Sequence, residues 1–263
     1  MQKRNYQKEL DKIIEEITAE GTRPRLLVHS CCAPCSSYVM EYLSRYFDLT
    51  MYFYNPNMDS REEYEKRAEE LQRLIREMNA SLPENPAGAK DGGSPEQQDE
   101  DGSGVLPART PIRAVIANYD PEAFEEIAKG HETDPERGTR CRWCYELRLR
   151  KTAEYMRSQN AECLDASPDG DCGAQERSAY DYFATTLTLS PLKDAEALNT
   201  IAEQIAAQYG LGYLVSDFKK REGYKRSIEL SREYHLYRQN YCGCRFSKAA
   251  ARQREDQAEH PAG

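Results

Sequence analysis

Short apolar runs along this chain alternate with longer stretches in which apolar side chains recur every three or four positions. Tyr6 to Glu20 puts Leu10, Ile13, Ile14 and Ile17 on one face and stops at Gly21, the pattern of an amphipathic helix. Leu26-Leu27-Val28-His29 reads as a strand that ends in Ser30-Cys31-Cys32-Ala33-Pro34-Cys35, after which Tyr38, Val39, Tyr42, Leu43 and Tyr46 take up a helical spacing. A second strand is expected over Leu49 to Tyr54, followed by Asn55-Pro56-Asn57, and then a helix capped by Asp59 or Ser60 that runs to about Met78. Arg113 to Ala117 reads as a strand, Asp120-Pro121 as a helix start, His131 to Arg140 as a polar turn, and Cys141 as the start of a helix bearing Leu147, Leu149 and Tyr155. Tyr182 to Leu189 is expected as a strand, Asp194 to Tyr209 as a helix stopped by Gly210, and Leu211 to Val215 as the last strand.

Strands that alternate with helices predict an α/β fold with a doubly wound, mostly parallel sheet and right-handed crossovers. The pattern leaves strand order open. Two stretches interrupt it. Residues 82 to 109 hold five Gly and four Pro and almost no large apolar side chain, and residues 160 to 178 are similarly polar; both read as disordered insertions. The expected organisation is one domain over residues 1 to 255 with these two insertions and a disordered tail over 256 to 263.

Composition narrows the class. No run approaches the ~18 apolar residues that a membrane helix needs, and Met1 to Pro24 contains no apolar signal-type core, so a soluble protein without a membrane partner is expected. Nine cysteines in tight clusters do not resemble a disulfide-stapled secreted domain and point to a reducing cytoplasm and metal or redox work. The net charge of -9 is unevenly spread, because each insertion contributes -4 while residues 217 to 254 hold eleven Lys/Arg against four Asp/Glu. A near-neutral body with a basic end is compatible with a phosphate backbone. Lys219, Lys220 and Arg221, with Lys225 and Arg226, lie near tyrosines at 224, 234, 237 and 241 and are expected to bind RNA phosphates; the plainer reading is a solvated helix face.

Apart from Cys163 and Cys172 in the second insertion, the thiols form three groups: Cys31, Cys32 and Cys35; Cys141 and Cys144; Cys242 and Cys244. A single cysteine is most simply a small buried hydrophobe. The pair Cys141 and Cys144 at a helix start suits structural zinc, a thioredoxin-like dithiol or iron–sulfur ligation alike. The first group stands at the carboxyl end of a strand, where open α/β sheets bind ligands and a helix start favours thiolate. Cys242 and Cys244 flank a glycine, so any bond between them closes a tight, strained ring and is labile, as a redox relay requires. Tyr54, Asn55 and Asn57, at the end of the second strand, are candidates for substrate or cofactor contact.

Taken in order, His29 to Ser36, Tyr52-Phe53-Tyr54-Asn55-Pro56-Asn57, Arg140-Cys141-Arg142-Trp143-Cys144-Tyr145 with Arg148-Leu149, Thr185-Thr186-Leu187 with Ser190-Pro191, and Tyr237-Arg238-Gln239 with Tyr241-Cys242-Gly243-Cys244 and Phe246-Ser247 resemble the QueH type of epoxyqueuosine reductase. The motifs span nearly the whole chain outside the two insertions, which depart from the family's pattern. The resemblance implies a modified HUP-type (adenine nucleotide alpha hydrolase-like) fold and two-electron reduction of epoxyqueuosine to queuosine at the wobble position of tRNA. It further implies a 4Fe-4S cluster ligated by Cys31, Cys32, Cys141 and Cys144, a redox-active disulfide at Cys242 and Cys244, and an external electron donor. A second, mononuclear iron is implied beside the cluster, with Cys35 its candidate ligand and Asp120 and Asp217 further candidates.

Two rivals share the fold class. One is a structural-zinc, tRNA-binding module in which no electrons move. The other is an ATP-dependent tRNA modification enzyme; against it, the first strand–helix turn holds Cys31-Cys32-Ala33-Pro34-Cys35 in place of a glycine-rich phosphate cradle, and the chain has no Walker-type sequence.

Overall fold

A computed structural model of the chain describes residues 4–83, 106–166 and 179–259. Five strands form one all-parallel sheet: β1 (Arg25–Ser30), β2 (Asp48–Phe53), β3 (Arg113–Ile116), β4 (Tyr182–Thr185) and β5 (Gly212–Tyr213), in the order β3-β2-β1-β4-β5. This is the doubly wound architecture expected, with β1 central. Its neighbours are β2, with Ser30 opposite Phe53, and β4, with His29 opposite Thr185. The chain order reverses between β1 and β4, and at such a switch point the helices depart to opposite faces and leave a crevice at the carboxyl ends of the strands.

Alternation along the strands fills both faces. Leu26, Val28, Leu49, Met51 and Phe53 point into a core shared with α1 (Tyr6–Ala19), α2 (Ala33–Leu43) and α3 (Arg61–Ala80). Leu27, Tyr52 and Phe183 point the other way, against α5 (Thr139–Ala166) and α6 (Ala195–Tyr209). The caps follow the sequence. Ser60 accepts the Glu63 amide at the start of α3, Asp194 accepts two amides at the start of α6, and Gly210 ends α6 in the left-handed region at φ 66°. Three further helices, α4 (Pro121–Ala128), α7 (Gly223–Glu233) and α8 (Arg245–Glu259), complete the described fold, and among the described residues none is long and apolar enough to cross a membrane.

Several boundaries differ from those expected. The segment expected as an insertion over 160 to 178 begins as helix, since α5 continues to Ala166. Asn160 exchanges two hydrogen bonds with the Tyr180 backbone, at 2.7 and 3.0 Å, and Cys163 is buried, so this polar stretch packs on one side. The return of the first insertion is also tied down: Arg45 and Arg23 donate to the carbonyls of Pro107 and Ala108. Residues 84–105 and 167–178 of the two expected insertions, Cys172 among them, lie outside the described residues. The tail expected from residue 256 is helical as far as Glu259, in keeping with its Gln, Ala and Glu content.

The strand expected over Tyr182 to Leu189 stops at Thr185, whose hydroxyl accepts the Leu187 amide and turns Thr186–Leu189 into a 3-10 helix. The strand expected over Leu211 to Val215 is only Gly212–Tyr213. Beyond it, Asn199 of α6 accepts the Ser216 amide at 3.0 Å and donates to the Ser216 carbonyl at 2.9 Å, taking both groups away from strand pairing. Asn199→Ala leaves these buried backbone groups and the Tyr213 hydroxyl unpaired. The unfolding free energy in urea is expected to fall by on the order of 1–3 kcal/mol, and a change under a few tenths would remove Asn199 as the clamp on β5.

Candidate active site

The first thiol group is built by the end of β1. The Cys31 amide donates to Thr186 Oγ1 at 3.2 Å, and that hydroxyl lies 3.4 Å from Cys31 Sγ, so the two strands of the switch point fix this sulfur together. Cys32 is extended (φ -173°, ψ 161°) and caps α2, with Pro34 in the first turn; Cys35 then falls on the same helix face. The three sulfurs lie within 4.8 Å of one another, and Cys31 and Cys32 are 3.8 Å apart, close to the ~3.8 Å edge of a tetrahedron with ~2.3 Å metal–sulfur bonds. Hydrogen bonds from Cys32 and Cys35 hold the Cys31 thiol well below its ordinary range, while the Cys32 thiol is pushed up to about 12 and that of Cys35 is also raised. One negative charge is thus shared by three sulfurs and faces the positive end of α2.

The second group opens α5. Asp134 accepts both the Arg140 amide and His131 Nδ1, and the buried Arg140 donates to the carbonyls of His131 and Glu132, so the polar turn is locked before the helix starts. Cys141 and Cys144 stand one turn apart; burial raises both thiols, Cys144 to about 11. One turn further lies Arg148, with only 1% of its surface exposed. It donates to His29 Nε2 at 3.3 Å and Asn55 Oδ1 at 2.5 Å, and its Nη1 is 4.0 Å from Cys144 Sγ. Burial, followed by the Arg148 charge, lowers His29 to about 3. His29 is therefore a neutral imidazole whose Nε2 sits between Arg148 Nε and the Tyr54 carbonyl, at 3.3 and 3.1 Å, and whose Nδ1 lies 3.0 Å from Thr185 Oγ1.

The third group depends on a glycine. Gly243 has φ 112°, and a Cβ there would come within 2.4 Å of Met58 Sδ. The Asp59 amide donates to its carbonyl at 2.9 Å, and Asn57 donates to the Cys242 carbonyl at 3.3 Å. Cys242 Sγ and Cys244 Sγ are 3.5 Å apart, and Ser247 Oγ lies 3.0 and 3.4 Å from them. The hydrogen bond between the two sulfurs, helped by Lys193 and Ser247, holds Cys242 well below the usual thiol range and raises Cys244. The pair keeps one proton and one negative charge.

All seven free cysteines of the described residues line a single cavity of about 320 Å³. Cys31, Cys32, Cys141 and Cys144, expected as cluster ligands, line this same cavity, as do Cys242 and Cys244; the three sulfurs that lie within 4.8 Å of one another are those of Cys31, Cys32 and Cys35. The donor set is purely thiol, which suits iron–sulfur clusters and zinc. Beside it lies a buried guanidinium with no carboxylate within 4.0 Å among the described residues, which calls for an anionic group at this place.

Other expected residues fall elsewhere. Tyr54, Asn55 and Asn57 are buried and do not line the cavity; they brace it, Tyr54 through its carbonyl 3.1 Å from His29, Asn55 through Arg148 and Asn57 through Cys242. Lys219 is paired with Asp217 at 2.8 Å and Arg221 with Asp11 at 2.6 Å, and neither these nor Lys220 reaches the cavity. Asp120 accepts the Tyr54 hydroxyl, and neither Asp120 nor Asp217 lines the cavity, so neither is placed as a metal ligand. Cys163, some ~30 Å along α5 from Cys141, belongs to the helix packing. Arg148 and Ser247 stand in the motifs that carry the resemblance, but no role was read for either from sequence, and Lys193 was not singled out at all.

Fold and cavity together define a parallel α/β protein equipped for thiolate-based redox or metal chemistry. The family model of epoxyqueuosine reductase QueH matches residues 26–91, 100–167 and 171–250. The chain is 37% identical over 248 residues to an epoxyqueuosine reductase QueH of Staphylococcus epidermidis, covering 94% of this chain and 85% of the relative. It is 35% identical to the Streptococcus pyogenes protein of that name, over 94% and 79%, and 31% identical to that of Haemophilus influenzae, over 89% and 76%. The chain belongs to the epoxyqueuosine reductase QueH family.

The proton arrangement at the third group is testable. Iodoacetamide is expected to alkylate Cys242 well below the pH at which an ordinary thiol reacts, and to leave Cys244 unmodified. Peptide mass spectrometry across pH checks this; equal labelling of the two sulfurs with an ordinary thiol midpoint would contradict it.

Proposed function

We propose that this protein reduces the epoxide of epoxyqueuosine in tRNA to queuosine and that it does so with an iron–sulfur cluster. The reaction consumes two electrons and two protons, cleaves both carbon–oxygen bonds of the epoxide and releases water. The observation that supports this reading is the convergence of seven free cysteines among the described residues on one cavity of about 320 Å³.

The chain's own residues divide the work. Cys242 and Cys244, which together hold one proton, release two electrons and that proton on closing to the disulfide; the second proton of the reduction comes from solvent, and an external reductant then restores the pair. Cys31, Cys32, Cys141 and Cys144 hold the cluster, and Cys35 is left to a second metal. When bound, these groups supply one-electron transfer and a Lewis acid. Ser247 steadies the thiolate form of the pair. Arg148 neutralises charge on the Cys144 side, and Lys193 does so near Cys31, Cys35 and Cys242, whose charges hold its ammonium above the ordinary range against the effect of burial. The apolar neighbours Phe124, Pro34 and Leu189 limit water in the cavity.

Nucleoside mass spectrometry of tRNA from cells lacking the protein tests the activity: epoxyqueuosine is expected to accumulate, and unchanged queuosine would refute it. Anaerobically purified protein is expected to be brown and to contain iron and acid-labile sulfide, whereas colourless protein with stoichiometric zinc would establish the structural-zinc alternative. Cys242→Ser and Cys244→Ser are both expected to lose multiple turnover; full turnover of both with a chemical reductant would remove the relay.

Arg148→Met is expected to lower the midpoint potential of the bound cluster, since a cation beside the thiolates favours the more negative, reduced state. A shift on the order of tens of millivolts in a spectroscopic titration is the expected size, 59 mV being a tenfold change for one electron. An unchanged potential would leave Arg148 with a purely structural role.

A further inference from the structure

Charge in this protein is distributed in a way that neither the basic run at 219–226 nor the thiols explain. Lys219, Arg221, Lys225 and Arg226 are each paired with a carboxylate, so the stretch richest in bases is largely neutralised. The cavity is the opposite case. Arg67, Arg137, Arg140, Arg148, Lys193 and Arg238 line it against one carboxylate, Glu136, which is itself paired with Arg254. Of these six cations only Arg67 has a carboxylate partner among the described residues.

Arg137 and Arg238 are exposed at the rim and Lys193 is half-buried. Arg137, at φ 70°, donates from Nε and Nη2 to the carbonyls of Leu192 and Pro191, both at 2.8 Å, and so clamps an apolar corner onto the mouth. Arg238 is held by Ser231 at 2.9 Å, with its guanidinium 5.9 Å from the Tyr224 ring. Three large apolar side chains are exposed among the described residues, and two of them, Leu192 and Tyr224, line this cavity.

Unneutralised guanidinium groups beside exposed stacking surfaces, around a cavity of about 320 Å³, match the chemistry of single-stranded RNA, in which one base is turned out and its neighbours stack on aromatic side chains. We propose that this rim docks the single-stranded loop of the RNA substrate: Arg137 and Arg238 take phosphates flanking the target nucleotide, Lys193 takes backbone charge below them, and Tyr224 with Leu192 supports an adjacent base. The proposal rests on the reading that the substrate is tRNA. It places the docking surface at the mouth of the thiol cavity, away from Lys219, Lys220 and Arg221.

The test is binding of the full-length protein to an anticodon stem-loop as a function of salt. Lys193→Gln and Arg238→Gln are each expected to weaken binding severalfold and to reduce the slope of log affinity against log salt by about 0.7, one single-strand phosphate contact. Lys193→Arg restores the slope. Tyr224→Ala is expected to lose roughly tenfold in affinity without a change of slope. Unchanged slopes in both glutamine variants with unchanged melting temperature would overturn the proposal. So would a loss confined to Lys219→Gln, Lys220→Gln and Arg221→Gln, or intact RNA binding with a raised KM for a protein electron donor, which would make the rim a docking site for an acidic redox partner. Because binding is measured, stem-loop capture at this rim by a protein that leaves the epoxide intact would defeat the activity reading and not this one.

Discussion

The pairing of β1 with both β2 and β4 is the constraint from which the cavity follows. His29 is opposite Thr185 and Ser30 is opposite Phe53, so the last residues of three strands end at one level. Above that level the chain leaves β1 into Cys31, leaves β2 into Tyr54-Asn55-Pro56-Asn57 and leaves β4 into Thr186. Each departure contributes to the thiol site: a sulfur, a set of amide and carbonyl braces, and a hydroxyl on that sulfur. A register shift of one residue at β1 would turn His29 to the other face and remove the imidazole from Arg148.

Charge balance at the same place is the second constraint. A guanidinium buried at 1% exposure with only neutral partners is costly in a protein interior, and a nearby carboxylate would have been the ordinary remedy. Its free edge faces Cys144, whose thiol is held neutral by burial as long as nothing else draws off the proton. Metal binding deprotonates thiols, so a loaded site adds to the negative charge that the Cys31 group already carries. The neutral state of His29 belongs to the same balance, for burial and the Arg148 charge together outweigh the pull of the Cys31 thiolate.

Most of the fold was legible in sequence because apolar periodicity and caps reflect local forces. Leu10, Ile14 and Ile17, Ser60, Asp194 and Gly210 all act in the structure as their positions suggest. The misreadings occur where a side-chain hydrogen bond to the backbone outweighs the strand or loop preference of the residues around it. Asn199 cuts the last strand short, Thr185 converts a β-branched run into a 3-10 turn, and Asn160 holds a polar stretch in α5. The thiols were legible as groups, yet nothing in their spacing says that Cys35 lies within 4.8 Å of Cys31 and Cys32. Tyr54, Asn55 and Asn57 were recognised as belonging to the site, but their role as supports depends on contacts with residues up to 185 positions away.

The base run shows why charge read along a chain misleads about charge in space. Lys219 and Arg221 look available in sequence because Asp217 is a single acid and Asp11 lies 210 positions away, yet both are paired in the fold. Arg137, Lys193 and Arg238 look unremarkable because each stands in mixed sequence, beside Glu136, Asp194 and Tyr237 respectively. Folding reverses the ranking. A long-range field is set by the cations that have no near counter-charge, and those are concentrated around an enclosed, partly apolar mouth where field lines focus. The cations without a near carboxylate thus line the same crevice in which the thiols are gathered, so under the proposed function capture and chemistry would share one opening.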